Sequence, residues 1–354
     1  MNPVLLTLLL VAGPLSGAGV PYQVLTKGLG YFPVAIGLKN GDVLAVIRAG
    51  AGHIGVKGRL DLIRSTDRGK SWSAPWTAVD DGYDDRNPAL GQLKDGTIVL
   101  AYAVASGYDA TGLRWNARTD RVFDGVYLVF SKDNGRTWSK PVRDGTIHGF
   151  YAGKGLVSPY GKIIQLPDGT VLMAVYFEFF DERHNQSYVY RSKDGGRSWG
   201  QPTLLGEHYN ETGLVRLRDG RLLAAMRSEK GGNIAIIESP DLGKTWSAPR
   251  QITADRQHPA DLIQLRDGRV LMVFGERNAP RGVHAMISPD GRTWDQSKRI
   301  ILAADAPNTD CGYPSSVEVG KGKILTLYYQ VENTSDAPAS SSSRAVLWEA
   351  PGRK

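Results

Sequence analysis

The chain of 354 residues holds a single cysteine, Cys311. One thiol excludes an internal disulfide framework and any structural metal site built on several cysteines. Long apolar runs are also scarce. The clearest, residues 4–12, is short and flanked by Pro and Gly, whereas a bilayer span needs about 20 apolar residues, so no membrane span is expected. Charge is not gathered into blocks: 43 Lys and Arg against 36 Asp and Glu give a formal +7 that is scattered through the turns. That pattern argues against nucleic acid and favours small anionic ligands or general solubility. No phosphate-binding glycine loop and no nucleophile elbow occurs, and His53, His258 and Glu178 have no metal-ligand spacing, so neither metal nor cofactor is expected.

Glycine, by contrast, is abundant, with 42 residues alongside 19 prolines, as a chain of many tight turns requires. Five segments (65–72, 131–138, 192–199, 239–246 and 288–294) repeat Ser-x-Asp-x-Gly-x-Ser/Thr-Trp, the last one residue shorter, and hold five of the eight tryptophans. In such a turn the Asp accepts backbone N–H bonds, Gly takes the left-handed position and Trp packs beneath. A second repeat, out of step with the first, pairs a turn glycine with an apolar strand at Gly41, Gly96, Gly169, Gly220, Gly268 and Gly322. Six tight hairpins with about four strands each indicate radial repetition: an all-β, six-bladed β-propeller over residues 19–354. The five boxes join third to fourth strands. The sixth unit lacks a box, and its outer strand is expected from the N-terminus, with Tyr22–Thr26 pairing 345–348 and closing the ring. Residues 1–18 read as a signal peptide, with the apolar stretch followed by Ser16-Gly17-Ala18 in the small-residue places of a cleavage site, which implies a secreted or periplasmic protein.

These boxes and their register resemble the bacterial sialidase (neuraminidase) superfamily over essentially the whole of residues 21–350. The resemblance implies a site in the central funnel, at residues flanking the glycine-turn strands. Glu211, which opens a stretch ending at Arg227, matches the family's general-base glutamate, and Arg227 a carboxylate-binding arginine. Arg281, ahead of the fifth box, matches another. Tyr313, in Gly312-Tyr313-Pro314, stands where the family has its nucleophilic tyrosine. A tyrosine that gives its proton to Glu during attack avoids the repulsion an anionic nucleophile would meet at a carbon bearing a carboxylate.

Two positions depart from the family. Where it has Arg-Ile-Pro in the first unit, this chain reads Tyr31-Phe32-Pro33, and Arg86, beside Asp84 and Asp85, is a candidate replacement. Where it has an acid/base aspartate, residues 49–58 hold no carboxylate, and His53 is the good proton donor there, with Asp84 or Asp85 as alternatives. The motif Tyr328-Tyr329-Gln330 also lacks the glutamate expected to brace the missing arginine. Tyr31, Asp85, His258 and Asp261 complete the candidate binding residues, with Glu178 nearby. The expected activity is exo-acting hydrolysis of a terminal acidic sugar, sialic acid by default, from a glycan or oligosaccharide. A uronate-directed polysaccharide lyase, a histidine-centred glycosidase and a non-catalytic glycan-binding propeller stay open.

Overall fold

The computed structural model describes residues 20–113, 122–151, 155–179, 184–333 and 340–353. The leader expected at 1–18 lies outside them. After β1 (Tyr22–Thr26), the chain builds antiparallel meanders in sequence order. The first is β2 (Tyr31–Gly37), β3 (Val43–Ala49), β4 (Arg59–Ser65) and β5 (Trp76–Val79). There follow β6 (Asp84–Gln92), β7 (Ile98–Ser106), β8 (Val122–Ser131) and β9 (Val142–Arg143), a short helix α1 (Gly145–Tyr151), then β10 (Gly155–Gln165), β11 (Val171–Phe179), β12 (Asn185–Ser192) and β13 (Gly200–Glu207). The remainder is β14 (Tyr209–Arg216), β15 (Leu222–Ser228), β16 (Ile234–Ser239) and β17 (Arg250–Gln251), then β18 (Gln257–Gln264), β19 (Val270–Glu276), β20 (Gly282–Ser288) and β21 (Ile300–Ala303), and last β22 (Cys311–Gly320), β23 (Lys323–Val331) and β24 (Ser341–Glu349).

These strands form four separate four-stranded sheets and one eight-stranded sheet. Six separate blades are therefore not what the chain makes, and the expected count is corrected to four single sheets plus one double-width sheet. The cause is local. β10 breaks its register between Tyr160 and Ile164, and Gly161 and Lys162 pair in parallel with Ala89 and Leu90 of β6. A Cβ on Gly91 would lie 2.2 Å from the Ile163 carbonyl oxygen, so only glycine lets the two backbones approach this closely. The first strands β2, β6, β10, β14, β18 and β22 nonetheless contact one another in a closed ring, the propeller-like feature of the fold. β1 joins β24 antiparallel, Tyr22 opposite Val346, so the N-terminal strand covers the edge of the final sheet as expected. Arg344 caps that junction, its guanidinium 4.2 Å from the centre of the Tyr22 ring.

The core lies between sheets. Val46, Leu60 and Leu62 of one face pack on Leu90, Leu100 and Tyr102 of the next, and Leu223 and Ala225 pack on Leu262 and Met272. The repeated Ser-x-Asp turns sit at the rim, each linking the third and fourth strands of a meander. In the third, Asp194 Oδ1 accepts from Ser192 Oγ and from the amides of Arg197 and Ser198, Oδ2 accepts from Ser198 Oγ, and the Trp199 indole donates to the Gly196 carbonyl. These bonds hold the Asp194 carboxyl down at about 2, against the opposing effect of its partial burial. Asp194→Ala is expected to lower stability by about 1–2 kcal/mol in denaturant titration.

Candidate functional site

Every first strand carries a register break where it reaches the funnel, at Tyr31/Val34, Arg86/Ala89, Tyr160/Ile164, Tyr209/Thr212, Gln257/Ala260 and Gly312/Ser315. A bulge re-aims the side chains around it. Here it turns Phe32, Asn87, Glu211 and Tyr313 towards one another. Phe32, Asn87 and Tyr313 hold φ of 49, 50 and 50°, in the left-handed region, and each precedes a proline. Such strain in non-glycine residues persists only where the surroundings fix it.

The Tyr313 hydroxyl donates to Glu211 Oε1 at 2.5 Å, and Arg227 Nη1 donates to Glu211 Oε2 at 2.7 Å and to the Tyr313 oxygen at 3.3 Å. Burial pushes the Tyr313 phenol up, and the Glu211 charge adds to that effect, while Arg227 and Arg277 oppose it. Tyr313 therefore carries its proton at rest, in a hydrogen bond to Glu211. Arg277 stands over the Tyr313 ring, 5.8 Å from its centre. A cleft of about 580 Å³, counted to its open mouth, is lined here by Tyr313, Glu211, Phe32, His53, Arg86 and Glu178, among others.

His53 enters from the loop after β3. Its Nδ1 lies 3.0 Å from both carboxylate oxygens of Asp310, and its ring packs edge-on against Phe32, with centres 5.0 Å apart. The loop is held from below by Arg48, whose Nη1 donates to the carbonyls of Ala51 and Gly52 and whose Nη2 donates to that of Gly55. Arg48 also donates to Asp84 Oδ1 from Nε at 3.0 Å and Nη2 at 2.5 Å. Asp84 Oδ2 accepts from Arg86 at 3.0 Å and from the Tyr108 hydroxyl. Burial opposes a charge on Asp84, but the two guanidiniums outweigh it and hold the carboxyl below its usual range. Asp84 has no proton to give, and it fixes Arg86 at the cleft wall instead.

Several expected binding residues are placed elsewhere. Asp85 points to the opposite face of β6, as alternation along a strand requires, and is buried beside Asp81 and Tyr102. Burial, and then the Asp81 charge, push its carboxyl up to about 9, but it does not line the cleft. Tyr31 is fully buried beneath His53 and Tyr329, out of reach of a ligand. His258 is buried behind the arginines. Burial first, and then Arg227 and Arg277, push its imidazole down to about 2, so it is neutral. Asp261 is consumed by Lys162, at 2.6 and 2.8 Å, and by the Ser316 amide, in a tie between β10, β18 and β22 below the cleft. Arg281 lies half-buried near Cys311 and does not line the cleft, and the arginine over Tyr313 is Arg277. Arg277 and Asp310 escaped sequence reasoning, as did Phe32 as a cleft wall. The aromatic or polar residue before proline in a first strand (Phe32-Pro33, Asn87-Pro88, Tyr313-Pro314) was the available signal. Among the described residues no group of three His, Cys, Asp or Glu side chains is placed to hold a metal ion, and no helix is long and apolar enough to cross a membrane.

A ring of first strands whose bulges gather a Tyr–Glu–Arg cluster, ringed by Ser-x-Asp turns, defines a BNR-repeat protein of the sialidase type. The family described as BNR repeat-like domain matches residues 61–326, and the chain belongs to it. It is similar to a sialidase of Bacteroides fragilis, 26% identical over 294 residues that cover 76% of this chain and 53% of that protein. A sialidase of Micromonospora viridifaciens is 26% identical over 73% of this chain and 44% of its own length. The chain thus spans about half the length of these relatives. Among solved structures, a protein of unknown function from Dyadobacter fermentans superposes with a TM-score of 0.76 at 25% identity, covering 93% of this chain and 98% of that one. The NanB sialidase of Streptococcus pneumoniae superposes at 0.70 and 16% identity, over 96% and 71% respectively, a likeness of fold.

Two outcomes follow from the buried carboxylates. Asp84→Ala strands two buried guanidiniums and should cost about 3–5 kcal/mol in chemical unfolding. Asp85 behaves in the opposite way. Its folded carboxyl is raised far above the unfolded value of about 3.9, so between the two values the folded state holds the extra proton and stability falls as pH rises. Asp85→Asn should melt above the unsubstituted protein at about pH 8, and the two should converge near about pH 4. Parallel melting curves at all pH values would contradict the assignment.

Proposed function

We propose that the protein is a glycoside hydrolase of the sialidase type, removing a terminal sugar, by default an acidic one such as sialic acid, from glycans. The observation that carries this reading is the 2.5 Å bond from the Tyr313 hydroxyl to Glu211, clamped by Arg227. On this reading the Tyr313 oxygen attacks the anomeric carbon as its proton passes to Glu211. The glycosidic oxygen departs with a proton from the His53 imidazolium. Water then attacks the anomeric carbon and returns a proton to His53, while the Tyr313–carbon bond breaks and Tyr313 recovers its proton from Glu211. Arg86 in the cleft lining, with Arg227 behind Glu211 and Arg277 over the Tyr313 ring, supports an anionic sugar. Residues 1–18 direct export.

The 3.0 Å contact of His53 with Asp310 favours a second reading, a histidine-centred glycosidase in which Tyr313 only shapes the pocket. Tyr313→Phe separates them. In the first reading kcat on a sialoside falls by at least about 100-fold while KM stays within a few-fold, because the hydroxyl acts only in the transition state. Near-normal turnover by Tyr313→Phe, with loss in His53→Ala, selects the second.

A further inference from the structure

The residue that holds His53 in place, and the ring nitrogen it leaves free to act, are set on the wall opposite the bulged tyrosine. His53 contributes its ring to the cleft lining, with its side chain 40% exposed, and its Nδ1 is turned away from the cleft onto Asp310. A carboxylate accepts only, so the proton between them sits on Nδ1. The far nitrogen, Nε2, has no hydrogen-bond partner among the described residues. Asp310 is itself anchored. Tyr329 donates its hydroxyl to Oδ1, the Asp310 amide donates to Asn308 Oδ1 at 2.7 Å, and the Val331 amide donates to the Asp310 carbonyl at 3.0 Å. Burial would push the Asp310 carboxyl up, but bonds from His53 and Tyr329 and the charge of Arg277 hold it below the usual range, so it is ionised and cannot be the acid. The other charged groups nearby are Arg86, Glu178 and Glu211 on the walls of the same cleft, Arg48, tied up in the loop carbonyls and Asp84, and Arg277, behind Asp310. From β2, Phe32 and Tyr31 press on the imidazole with uncharged rings.

We propose that Asp310 is the positioning residue of a His53–Asp310 dyad, with Tyr329 as its anchor, and that it makes Nε2 of His53 the atom that protonates the departing glycosidic oxygen. This rests on the glycosidase reading above and adds to it the atom, the tautomer and the residue that fixes both. Asp310 stays ionised throughout and never takes the proton. It orients the ring and stabilises the imidazolium before transfer, and it keeps Nε2 the basic nitrogen after transfer. The sequence places the two 257 residues apart, so only the closure of the ring brings them together.

The test compares two leaving groups. Asp310→Asn and Tyr329→Phe are assayed on sialyllactose, whose sugar leaving group needs a proton, and on methylumbelliferyl sialoside, whose acidic phenol does not. Asp310→Asn is expected to lower kcat on sialyllactose by about 100-fold and on the aryl glycoside by less than about 5-fold. Tyr329→Phe should show the same selectivity with a smaller loss, which guards against a folding defect in the first variant. Equal losses on both substrates would overturn the proposal. Should the unsubstituted protein cleave neither compound, the glycosidase reading is at fault, and the dyad is then decided by nitrogen NMR of labelled histidine. The neutral His53 ring should carry its proton on Nδ1 in the unsubstituted protein and shift it to Nε2 in Asp310→Asn, where the amide can donate to Nδ1. An unchanged tautomer would sink the dyad.

Discussion

Asp84 sits with no exposure between two guanidiniums, and much of the cleft depends on that one carboxylate. Arg48 and Arg86 come from neighbouring first and second strands and would repel each other at this depth. A shared counter-ion lets both stay buried and charged. Each arginine then does something different with its remaining donors. Arg48 spends them on the carbonyls of the His53 loop, giving a glycine-rich segment a fixed shape. Arg86 is left facing the cleft. Gly58 is part of the same constraint, because a Cβ there would lie 2.1 Å from Asp84 Oδ1. One buried carboxylate thereby sets both the loop that delivers the imidazole and the arginine of the wall beside it.

The second constraint is steric. First strands that converge on a narrow ring point alternate side chains into the gaps between sheets, not along the axis. A register break in each strand solves this by turning one residue towards the funnel mouth, at the cost of left-handed backbone at Phe32, Asn87 and Tyr313. The residue most directly implicated in chemistry is thus among the strained ones. Below this layer the Lys162–Asp261 pair, completed by the Ser316 amide and carbonyl, ties three first strands together across the axis and keeps the floor of the site from opening.

What the sequence made legible follows from what is local. The Ser-x-Asp turns and the glycine hairpins are short-range devices, so their existence, their alternation and the closing strand at Tyr22–Thr26 could be read directly. Tyr313, Glu211 and Arg227 were legible because each lies at a fixed offset from such a hairpin. The merging of two meanders into one sheet was not, since it depends on the approach of Gly91 to Ile163 between strands far apart in the chain. Asp85 misled for a related reason: adjacent aspartates look equivalent in a string, yet strand alternation sends Asp84 into an arginine cage and Asp85 to the opposite face, beside Asp81 and Tyr102. Arg277 and Arg281 differ by a single turn of loop, and no spacing rule distinguishes the one that reaches the tyrosine.

The two departures from the sialidase pattern then become one electrostatic change. Phe32 occupies the bulge of the first strand, with its ring 4.8 Å from that of Tyr313 and 5.0 Å from that of His53. A guanidinium at that position would face an imidazole and oppose its protonation, the form the proposed reaction uses. An uncharged ring removes that conflict, and Asp310 supplies the opposite charge on the far side. Tyr329, in the strand where the family pattern has a glutamate bracing an arginine, instead holds Asp310 through its hydroxyl. Under the proposed reading, phenylalanine for arginine, histidine for aspartate and a bracing phenol for a bracing carboxylate are consistent as a set. Each replacement alone would leave an imidazole beside a cation or a carboxylate without its partner. Together they move the anchoring charge from the first strand to the last and leave the Tyr313–Glu211 bond untouched.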